Sequence, residues 1–417
     1  MQTRHQQSSR DAEGLGEVVR DFYERHPYPQ AAEQLKPLDA VAGDDADRLA
    51  DYHLRWPHDP FRDDRSVLIA GCGTRQAARY AMRWPRARVV GIDVSETSIR
   101  LTQALKEKHD LPNLELRHLP VERAGELGER FDQIVCTGVL HHLPCPDAGL
   151  AALRTALTPG GAMHLMVYAP YGRAGIYLLQ DYCRRIGLSA SSADIGDLSA
   201  TLSSLPPSHP LRPLLKDSPD FRYEAGLADA LLHPQDRPYS VPEFFALIER
   251  NDLRFGRWLR QAPYLPQCGA PAATPHAEKL AKLGTEDQYA AMELFRGAMV
   301  RHSAIVHRGD DPVAHNAIHF SGDGWLGYRP LRLPDTIFVE RRLPPDTIGV
   351  LINRRHTDTD IYMPLTAAEK RLWASVDGRR SIRELIANAA QIPTARKFFE
   401  RLYRYDQIVF DASTPGS

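Results

Sequence analysis

The stretch that decides the fold reads SVLIAGCGTRQAARYAMRWPRARVVGID and covers residues 66–93. Residues 66–70 form an apolar run that predicts a buried strand, and the run ends at Gly71-Cys72-Gly73, where glycines permit a tight turn. Thr74 is placed to cap a helix with apolar positions at helical spacing, and residues 88–92 predict a second strand. A strand, a helix and another strand in this order predict a βαβ crossover and a parallel sheet.

The same alternation continues to residue 168. Residues 114–116 and 132–137 predict two more strands. A helix that carries leucines on one face is expected to stop at the turn Thr158-Pro159-Gly160-Gly161, before a strand over residues 162–168. The predicted fold class is therefore α/β, with a doubly wound, mostly parallel sheet whose ligands bind at the carboxyl ends of the strands.

Three parts are predicted along the chain. Residues 1–60 are expected to form an N-terminal helical cap, and residues 61–310 a sheet domain, completed by a helix and a strand within residues 239–259. Residues 172–232 are mostly helical and predict an insertion over the carboxyl edge of the sheet. Residues 311–417 combine strand and helix patterns and predict a small α+β domain.

The composition limits the classes of partner. The chain has 417 residues with a formal net charge of -1, which offers no overall attraction to nucleic acid or to an anionic membrane. The N-terminus is polar and no apolar run is long enough for a bilayer, so a cytoplasmic location without membrane contact is expected. The five cysteines form no CxxC pair, which argues against a disulfide framework and a thiolate zinc site, and no metal is predicted.

A carboxylate ends the second strand about twenty residues after the glycine turn, the spacing of βαβ units that bind a nucleoside. This residue, Asp93, can accept hydrogen bonds from both hydroxyls of a ribose. The glycines and Asp93 alone leave NAD and adenosylmethionine open as cofactors. The dinucleotide pattern requires a third glycine, however, and its sixth position here is Gln76, which argues against NAD.

Two further motifs extend the pattern: FDQIVCTGVLHHL at residues 131–143 and the Pro-Gly turn that follows it. With them, residues 65–168 resemble the class I S-adenosylmethionine-dependent methyltransferases. The resemblance implies S-adenosyl-L-methionine as the cofactor, a glycine turn beneath its methionine part and a carboxylate on its ribose. The cofactor-binding residues implied in this way are Gly71, Cys72, Gly73, Asp93, Val94 and Thr137.

Residues 22–29, FYERHPYP, resemble the N-terminal cap of some members of this family, whose aromatic side chains close over the cofactor. This likeness adds Tyr23 and Tyr28 to the expected cofactor site, although both can equally serve as packing residues. The sequence departs from the family pattern at Ile69, where many members carry an acidic residue before the glycine turn.

Four residues are candidates for the acceptor side of the site. His141 and His142 follow the fourth strand, and Tyr171 and Arg173 follow the fifth. A weakly acidic acceptor needs a base, for which the histidines and Tyr171 qualify, whereas a carboxylate or thiolate acceptor needs none. Arg173 can bind an anionic acceptor through its planar fork, or it can pair with an acidic residue of the insertion.

Three functions stay open at this point. The first is methyl transfer to a small-molecule or peptide acceptor, favoured by the helical insertion. The second is methyl transfer to nucleic acid, which is not expected because only the C-terminal region is basic and no Asn-Pro-Pro-Tyr-like motif follows the fourth strand. The third is a non-catalytic module that binds the cofactor for regulation, which the departure at Ile69 leaves open. The oligomeric state is left undetermined.

The C-terminal region contains LTAAEKRLWASVDGRRSIRELI at residues 365–386. This run loosely resembles small winged-helix domains akin to the peptide chaperone of PQQ biosynthesis, which present peptides to modifying enzymes. The likeness depends on Leu372-Trp373, Asp377-Gly378 and Ile382. An ordinary apolar helix face that packs on a turn explains the same residues.

Overall fold

The computed structural model describes residues 2–35, 45–311, 317–343 and 347–413. The chain divides into two compact units. The first consists of Met1–Ala40, Asp63–Arg254 and Gly297–His302, and the second of Val41–Arg62, Phe255–Arg296 and Ser303–Ser417. The second unit thus takes in residues 41–62 and 255–296, which the sequence-based domain boundaries assign elsewhere, and those boundaries stay predictions.

The first unit alternates strands and helices in the predicted order. After helix α1 (Gln2–Arg25), its elements up to the fifth strand are β1 (Val67–Ala70), α3 (Gln76–Arg83), β2 (Val89–Asp93), α4 (Glu96–Lys108), β3 (Leu114–His118), β4 (Phe131–Thr137), α5 (Pro146–Thr155) and β5 (Leu157–Tyr168). Helix α2 (Asp45–His53) belongs to the second unit. Every residue of β1 and β2 is buried, as expected for strands covered by helices on both faces.

These strands lie in a seven-stranded sheet of order β3-β2-β1-β4-β5-β7-β6. Its last members are β6 (Leu253–Trp258) and β7 (Arg301–Arg308), each with residues in both units. The pairs β1–β2, β1–β4, β2–β3 and β4–β5 are parallel, and Leu68 lies beside Val90 on one side and Ile134 on the other. The predicted fold class, a doubly wound and mostly parallel sheet, is confirmed.

The helices after β1 and β2 begin in different ways. Ser95 caps α4, since its side chain accepts a hydrogen bond from the N–H of Ser98. The prediction that Thr74 caps α3 is wrong: the helix begins later, after Arg75, and no side chain caps it. The Thr74 hydroxyl donates instead to the carbonyl oxygen of Pro29, 2.7 Å away, and so holds the N-terminal segment against the glycine turn.

The predicted turn before the fifth strand is also placed differently. Helix α5 ends at Thr155, and β5 already begins at Leu157, so Thr158-Pro159-Gly160-Gly161 lies within the strand. The register of β4 against β5 shifts between Phe131 and Gln133. An irregular strand can hold the proline and the left-handed Gly160 that a regular central strand would exclude.

The predicted insertion is helical and has a core of its own. It contains α6 (Ala174–Arg185), α7 (Ser192–Ser204), α8 (Arg212–Asp217) and α9 (Glu224–Leu231). Leu179, Leu198 and Leu227 are among the buried residues of this core, and Phe22 of α1 packs with them. Helix α10 (Val241–Arg250) follows and precedes β6, as the sequence predicts.

The second unit combines short strands and helices. Its later elements are α11 (Ala277–Ala281), α12 (Thr285–Arg296), β8 (Arg329–Arg332), β9 (Thr336–Val339), β10 (Val350–Asn353), β11 (Met363–Pro364), α13 (Ala367–Ser375), α14 (Ile382–Leu385), α15 (Ile392–Arg404) and β12 (Ile408–Asp411). Trp325, Phe398 and Phe410 lie in its core. Strands and helices thus occur where the α+β pattern predicts them, and the likeness to peptide-chaperone domains stays a prediction. In the described parts of the chain, no helix combines the length and apolarity that crossing a membrane requires.

Candidate functional site

The glycine turn joins β1 to α3, and both of its glycines are in the left-handed region, with φ of +70° at Gly71 and +54° at Gly73. A Cβ on Gly71 would lie 2.2 Å from Cγ2 of Val139, and one on Gly73 would lie 3.0 Å from the carbonyl oxygen of Tyr28. Both positions therefore favour glycine. Cys72 is buried, and burial raises the pKa of its thiol, so the turn offers backbone groups rather than a thiolate.

Asp93, the last residue of β2, is fixed by two backbone donors. Its Oδ2 accepts from the N–H of Gly73 at 2.8 Å, and its Oδ1 accepts from the N–H of Ser95 at 2.9 Å. The side chain is buried, and burial raises the pKa of Asp93 while the two hydrogen bonds oppose that shift. The carboxylate thus connects the glycine turn to the start of α4.

Asp93 keeps the acceptor capacity that ribose hydroxyls require. Each carboxylate oxygen can accept two hydrogen bonds and uses one of them on a backbone N–H. A hydroxyl donor at each remaining position would offset the cost of burying the charge. The turn Gly71-Cys72-Gly73, the glycine cradle of the site, lies beside this carboxylate, which therefore fits the ribose of S-adenosylmethionine.

The other residues expected on the cofactor side lie around this cradle. Thr137 ends β4, and its hydroxyl accepts a hydrogen bond of 2.9 Å from the amide of Gln76, the first residue of α3. Val94 directly follows Asp93, and its carbonyl oxygen lies 2.8 Å from Nε2 of His118. Gln76, which departs from the dinucleotide pattern, thus has a structural partner at the sheet edge.

The N-terminal cap contacts both the cofactor loops and the insertion. The hydroxyl of Tyr23 donates to Asp229 at 3.1 Å, and the hydroxyl of Tyr28 donates to Asp220 at 3.0 Å. Between the two tyrosines, Glu24 accepts hydrogen bonds from the hydroxyl and N–H of Thr97 at the start of α4. The cap is therefore held by polar contacts on both sides of the cradle.

A buried aromatic and histidine cluster lies where β4 and β5 end. The ring centroids of His141 and Tyr168 are 4.0 Å apart, and those of His142 and His233 are 3.9 Å apart. Burial lowers the pKa of both His141 and His142, and the positive charge of Arg173 acts in the same direction on each. The two predicted histidines are thus together and neutral at physiological pH.

Arg173 and Tyr171 occupy different environments. The Arg173 guanidinium is buried, lies 3.5 Å from the centre of the Tyr168 ring, and has its Nη2 3.5 Å from Oδ2 of Asp236. Tyr171 is 43% exposed and lies outside the buried cluster. The sequence leaves open whether Arg173 binds an acceptor or pairs with an acidic residue, and the structure pairs it with Asp236, just after the insertion. Tyr171 lies at the surface.

The loop after α9 closes the cluster. Nδ1 of His142 lies 2.6 Å from the carbonyl oxygen of Gln235, the N–H of Arg237 donates to the carbonyl of His141, and the N–H of Tyr239 donates to the carbonyl of Tyr168. These backbone contacts fix the loop on the carboxyl ends of β4 and β5.

Three carboxylates at this site are not predicted from the sequence: Asp220, Asp229 and Asp236. Asp229 is buried inside α9, and burial raises its pKa to about 7, with the charges of Asp236 and Asp220 acting in the same direction. The signal in the sequence is a single carboxylate in the otherwise apolar run AGLADAL at residues 225–231. A lone charge in such a run indicates a buried polar contact.

Residues 68–163 match the family model of a methyltransferase domain. The matched range includes the glycine turn, Asp93 and the two histidines after β4. The match confirms the predicted domain type and, with it, S-adenosylmethionine as the cofactor class.

Two curated relatives match part of this chain. An uncharacterized protein of Synechococcus sp. is 30% identical over 263 residues, which is 58% of this chain and 60% of that protein. The ubiquinone biosynthesis O-methyltransferase of Acinetobacter baylyi is 33% identical over 98 residues, 23% of this chain and 41% of that enzyme. The chain therefore spans less than two thirds of the length of each of these relatives.

Two solved structures of PKMT2 from Rickettsia typhi share the fold. One has a TM-score of 0.61 at 17% identity and covers 87% of this chain and 75% of that chain. The other, a complex with AdoHcy, has a TM-score of 0.57 at 17% identity and covers 92% of this chain and 77% of that chain. At this identity the likeness concerns the fold. Residues 68–163 thus match a methyltransferase domain, and the chain shares a Rossmann-like fold with these solved structures.

Proposed function

We propose that this chain is an S-adenosylmethionine-dependent methyltransferase that acts on a small-molecule or peptide acceptor. The observation that carries the proposal is the pairing of the glycine cradle with Asp93, whose carboxylate is buried, oriented by two N–H groups and able to accept two more hydrogen bonds. The methyltransferase-domain match over the same residues supports it.

The cofactor, when bound, supplies a methyl group on a sulfonium that is already activated. The chain's own residues then have to bind and orient the cofactor and the acceptor, and they have to exclude water. In the proposed site, Asp93 accepts from the ribose hydroxyls, the backbone of Gly71 and Gly73 borders the methionine part, and Tyr23 and Tyr28 close the cap over it. Cys72, Val94 and Thr137 complete the cofactor side.

On the acceptor side, the proposed residues are His141, His142, Tyr171 and Arg173. Because the two histidines are neutral, either can accept a proton from a weakly acidic acceptor. Arg173 is paired with Asp236, so an anionic acceptor would have to share or replace that partner. Tyr171 is exposed and is placed to contact a larger acceptor such as a peptide. A cytoplasmic location belongs to the same proposal.

The experiment is methyl transfer from labelled cofactor in a lysate that contains the purified full chain. Parallel samples receive a protease, a nuclease or a filter that removes macromolecules, and mass spectrometry follows products heavier by one methyl group. The proposal predicts a labelled product that survives the nuclease and requires Asp93, with Asp93→Ala as the inactive control. Label that disappears only with nuclease would assign a nucleic-acid acceptor instead, and cofactor binding without any product would indicate a non-catalytic module.

A further inference from the structure

Three side chains at the edge of the buried cluster bring metal-ligating atoms together. His141 and His142 follow β4, and Asp236 comes from the loop between α9 and α10. One imidazole nitrogen from each histidine and one carboxylate oxygen from Asp236 all lie within 4.8 Å of one another. Two histidines and one carboxylate form a donor set that binds first-row transition metals in many proteins.

The hydrogen bonds of His142 and Asp236 leave Nε2 of the imidazole and Oδ1 of the carboxylate available to bind a metal ion. Nδ1 of His142 lies 2.6 Å from the Gln235 carbonyl oxygen and must donate to it, so the lone pair is on Nε2. A histidine ligand that donates its other N–H to a backbone carbonyl is the usual arrangement around protein-bound metals. Oδ2 of Asp236 accepts from the amide of Gln180 at 2.9 Å, and this contact orients the carboxylate.

The remaining polar atoms of the set have no partner in the described structure. Both ring nitrogens of His141 are buried without a hydrogen bond, and so is Oδ1 of Asp236. The His141 residue has 0% of its surface exposed, and the Asp236 side chain 1%. Buried polar atoms are nearly always paired, so these atoms point to a ligand.

A second group, His142 with Asp229 and His233, is a weaker candidate. Nδ1 of His233 accepts a hydrogen bond of 3.0 Å from the N–H of Gln235, which leaves the proton of the neutral ring on Nε2. Asp229 already accepts from the hydroxyl of Tyr23. In the first group, both ring nitrogens of His141 and Oδ1 of Asp236 have no hydrogen bond in the described structure, so that set is preferred.

The charges near the set balance in favour of a cation. Arg173 is the guanidinium beside it and contacts Oδ2 of Asp236, at 3.5 Å, rather than Oδ1. Asp236 brings one carboxylate against this one positive group, and Asp220 and the partly ionised Asp229, whose pKa is about 7, add further negative charge. A divalent ion at Oδ1 would therefore lie opposite the side of the carboxylate that Arg173 occupies.

We propose that His141, His142 and Asp236 bind a divalent first-row transition-metal ion, with Zn²⁺ as the representative ion. Three protein ligands leave at least one coordination position for water or for an oxygen or nitrogen of a bound molecule. In this role the two histidines bind the ion instead of accepting a proton. The sequence predicts no metal because it shows no thiolate pair, whereas this set consists of nitrogen and oxygen donors from distant segments.

The test uses the full chain after removal of metal with a chelator, in the absence of cofactor and acceptor, so that its outcome is independent of methyl transfer. Co²⁺ is titrated in and followed by its visible absorption, and Zn²⁺ affinity is measured by competition with a chromophoric chelator. The wild type is expected to bind one equivalent of either ion. Asp236→Asn and His141→Leu are each expected to lose affinity by about 100-fold or more, since even residues behind the ligands contribute about 10–100-fold.

His302→Gln is the matched control, because His302 is a buried histidine of the same unit that packs against Phe244 and is not part of the cluster. It should bind Zn²⁺ like the wild type. Circular dichroism identifies any variant that fails to fold. The metal affinity of the other, folded variant then tests the proposal. A wild type that takes up no stoichiometric Zn²⁺ or Co²⁺, or folded variants with unchanged affinity, would overturn the proposal.

Discussion

The hydroxyl of Tyr23 donates a hydrogen bond of 3.1 Å to the carboxylate of Asp229, a residue 206 positions later in the chain. Tyr23 belongs to the N-terminal helix and Asp229 to the last helix of the insertion. Asp229 is buried and Tyr23 is partly buried, and burial raises the pKa of the Tyr23 hydroxyl well above its ordinary value, so it stays a donor. This contact fastens the cap to the insertion beside the proposed acceptor side.

Replacing Tyr23 with phenylalanine should destabilise the protein. The variant removes one hydroxyl and leaves the Asp229 carboxyl without its donor, so we expect a loss of about 1–3 kcal/mol in the free energy of unfolding. Denaturant unfolding of Tyr23→Phe, Asp229→Ala and the double variant measures the coupling directly. Additive effects of the two single changes would show that the hydrogen bond contributes nothing.

Gly71→Ala should be much more damaging than Gly160→Ala. The two glycines have nearly the same φ, +70° and +73°, so both variants carry the strain of a left-handed alanine, about 1–2 kcal/mol. At Gly160 a Cβ meets nothing within 4 Å, whereas at Gly71 it lies 2.2 Å from Val139. Overpacking of this kind adds about 1–3 kcal/mol.

Unfolding midpoints and cofactor affinity of both glycine variants test this difference. Adding Val139→Ala to Gly71→Ala should restore part of the stability, because it removes the atom that the new Cβ meets. Equal losses in Gly71→Ala and Gly160→Ala would mean that the close approach to Val139 has no energetic consequence.

Stability at acidic pH should depend on Glu24. Burial opposes ionisation of Glu24, but hydrogen bonds from Thr97 and the N–H of Glu96 outweigh it and lower the pKa below its ordinary value of 4.5. A lowered pKa in the folded state stabilises the protein above pH 4.5, and this contribution is lost as the pH falls through the lowered value. Asp93 is a neighbouring titratable group whose pKa is raised, so its contribution to stability changes with pH in the opposite direction.

Melting temperatures of the wild type and Glu24→Gln between about pH 6 and pH 3 isolate the Glu24 contribution. The difference between the two proteins should be largest near neutral pH and should shrink as the pH falls. A difference that does not change with pH would remove Glu24 as its source.

Arg173→Ala should lower both stability and turnover, because it leaves Asp236 without its cation and removes the group stacked on Tyr168. Arg173→Lys keeps the charge but loses the planar fork, so an anionic acceptor bound through the fork predicts a larger kinetic loss in Arg173→Ala than in Arg173→Lys. Melting temperature, cofactor affinity and steady-state kinetics of the two variants separate these roles. An unstable Arg173→Ala with unchanged kinetics at low temperature would leave Arg173 a structural residue only.

The cofactor side of the site is predictable from the sequence because its signals are local. The glycine turn, Asp93 and the strand before Thr137 follow one another at the spacing of βαβ units, and parallel pairing then brings their ends to one edge. The exception is Thr74, whose hydroxyl contacts Pro29 instead of capping its own helix. A helix-capping residue is predicted from the local sequence pattern alone, but in the folded chain its side chain can bind a more distant partner instead.

The acceptor side is less predictable because its partners come from far along the chain. His142 meets the carbonyl of Gln235, 93 residues later, and Arg173 meets Asp236 across a helical insertion. A sequence pattern shows that a carboxylate lies in an apolar helix, as at Asp229, but it does not show which side chain pairs with it.

Calorimetric titration of the purified chain with S-adenosylhomocysteine is the most direct test of the central claim. The wild type should bind one equivalent, and Asp93→Ala should lose about 1–3 kcal/mol of binding free energy, because the ribose hydroxyls lose their buried acceptor. NAD, titrated in parallel, should bind far more weakly. Wild-type affinity in Asp93→Ala, or NAD binding as tight as that of S-adenosylhomocysteine, would contradict the account.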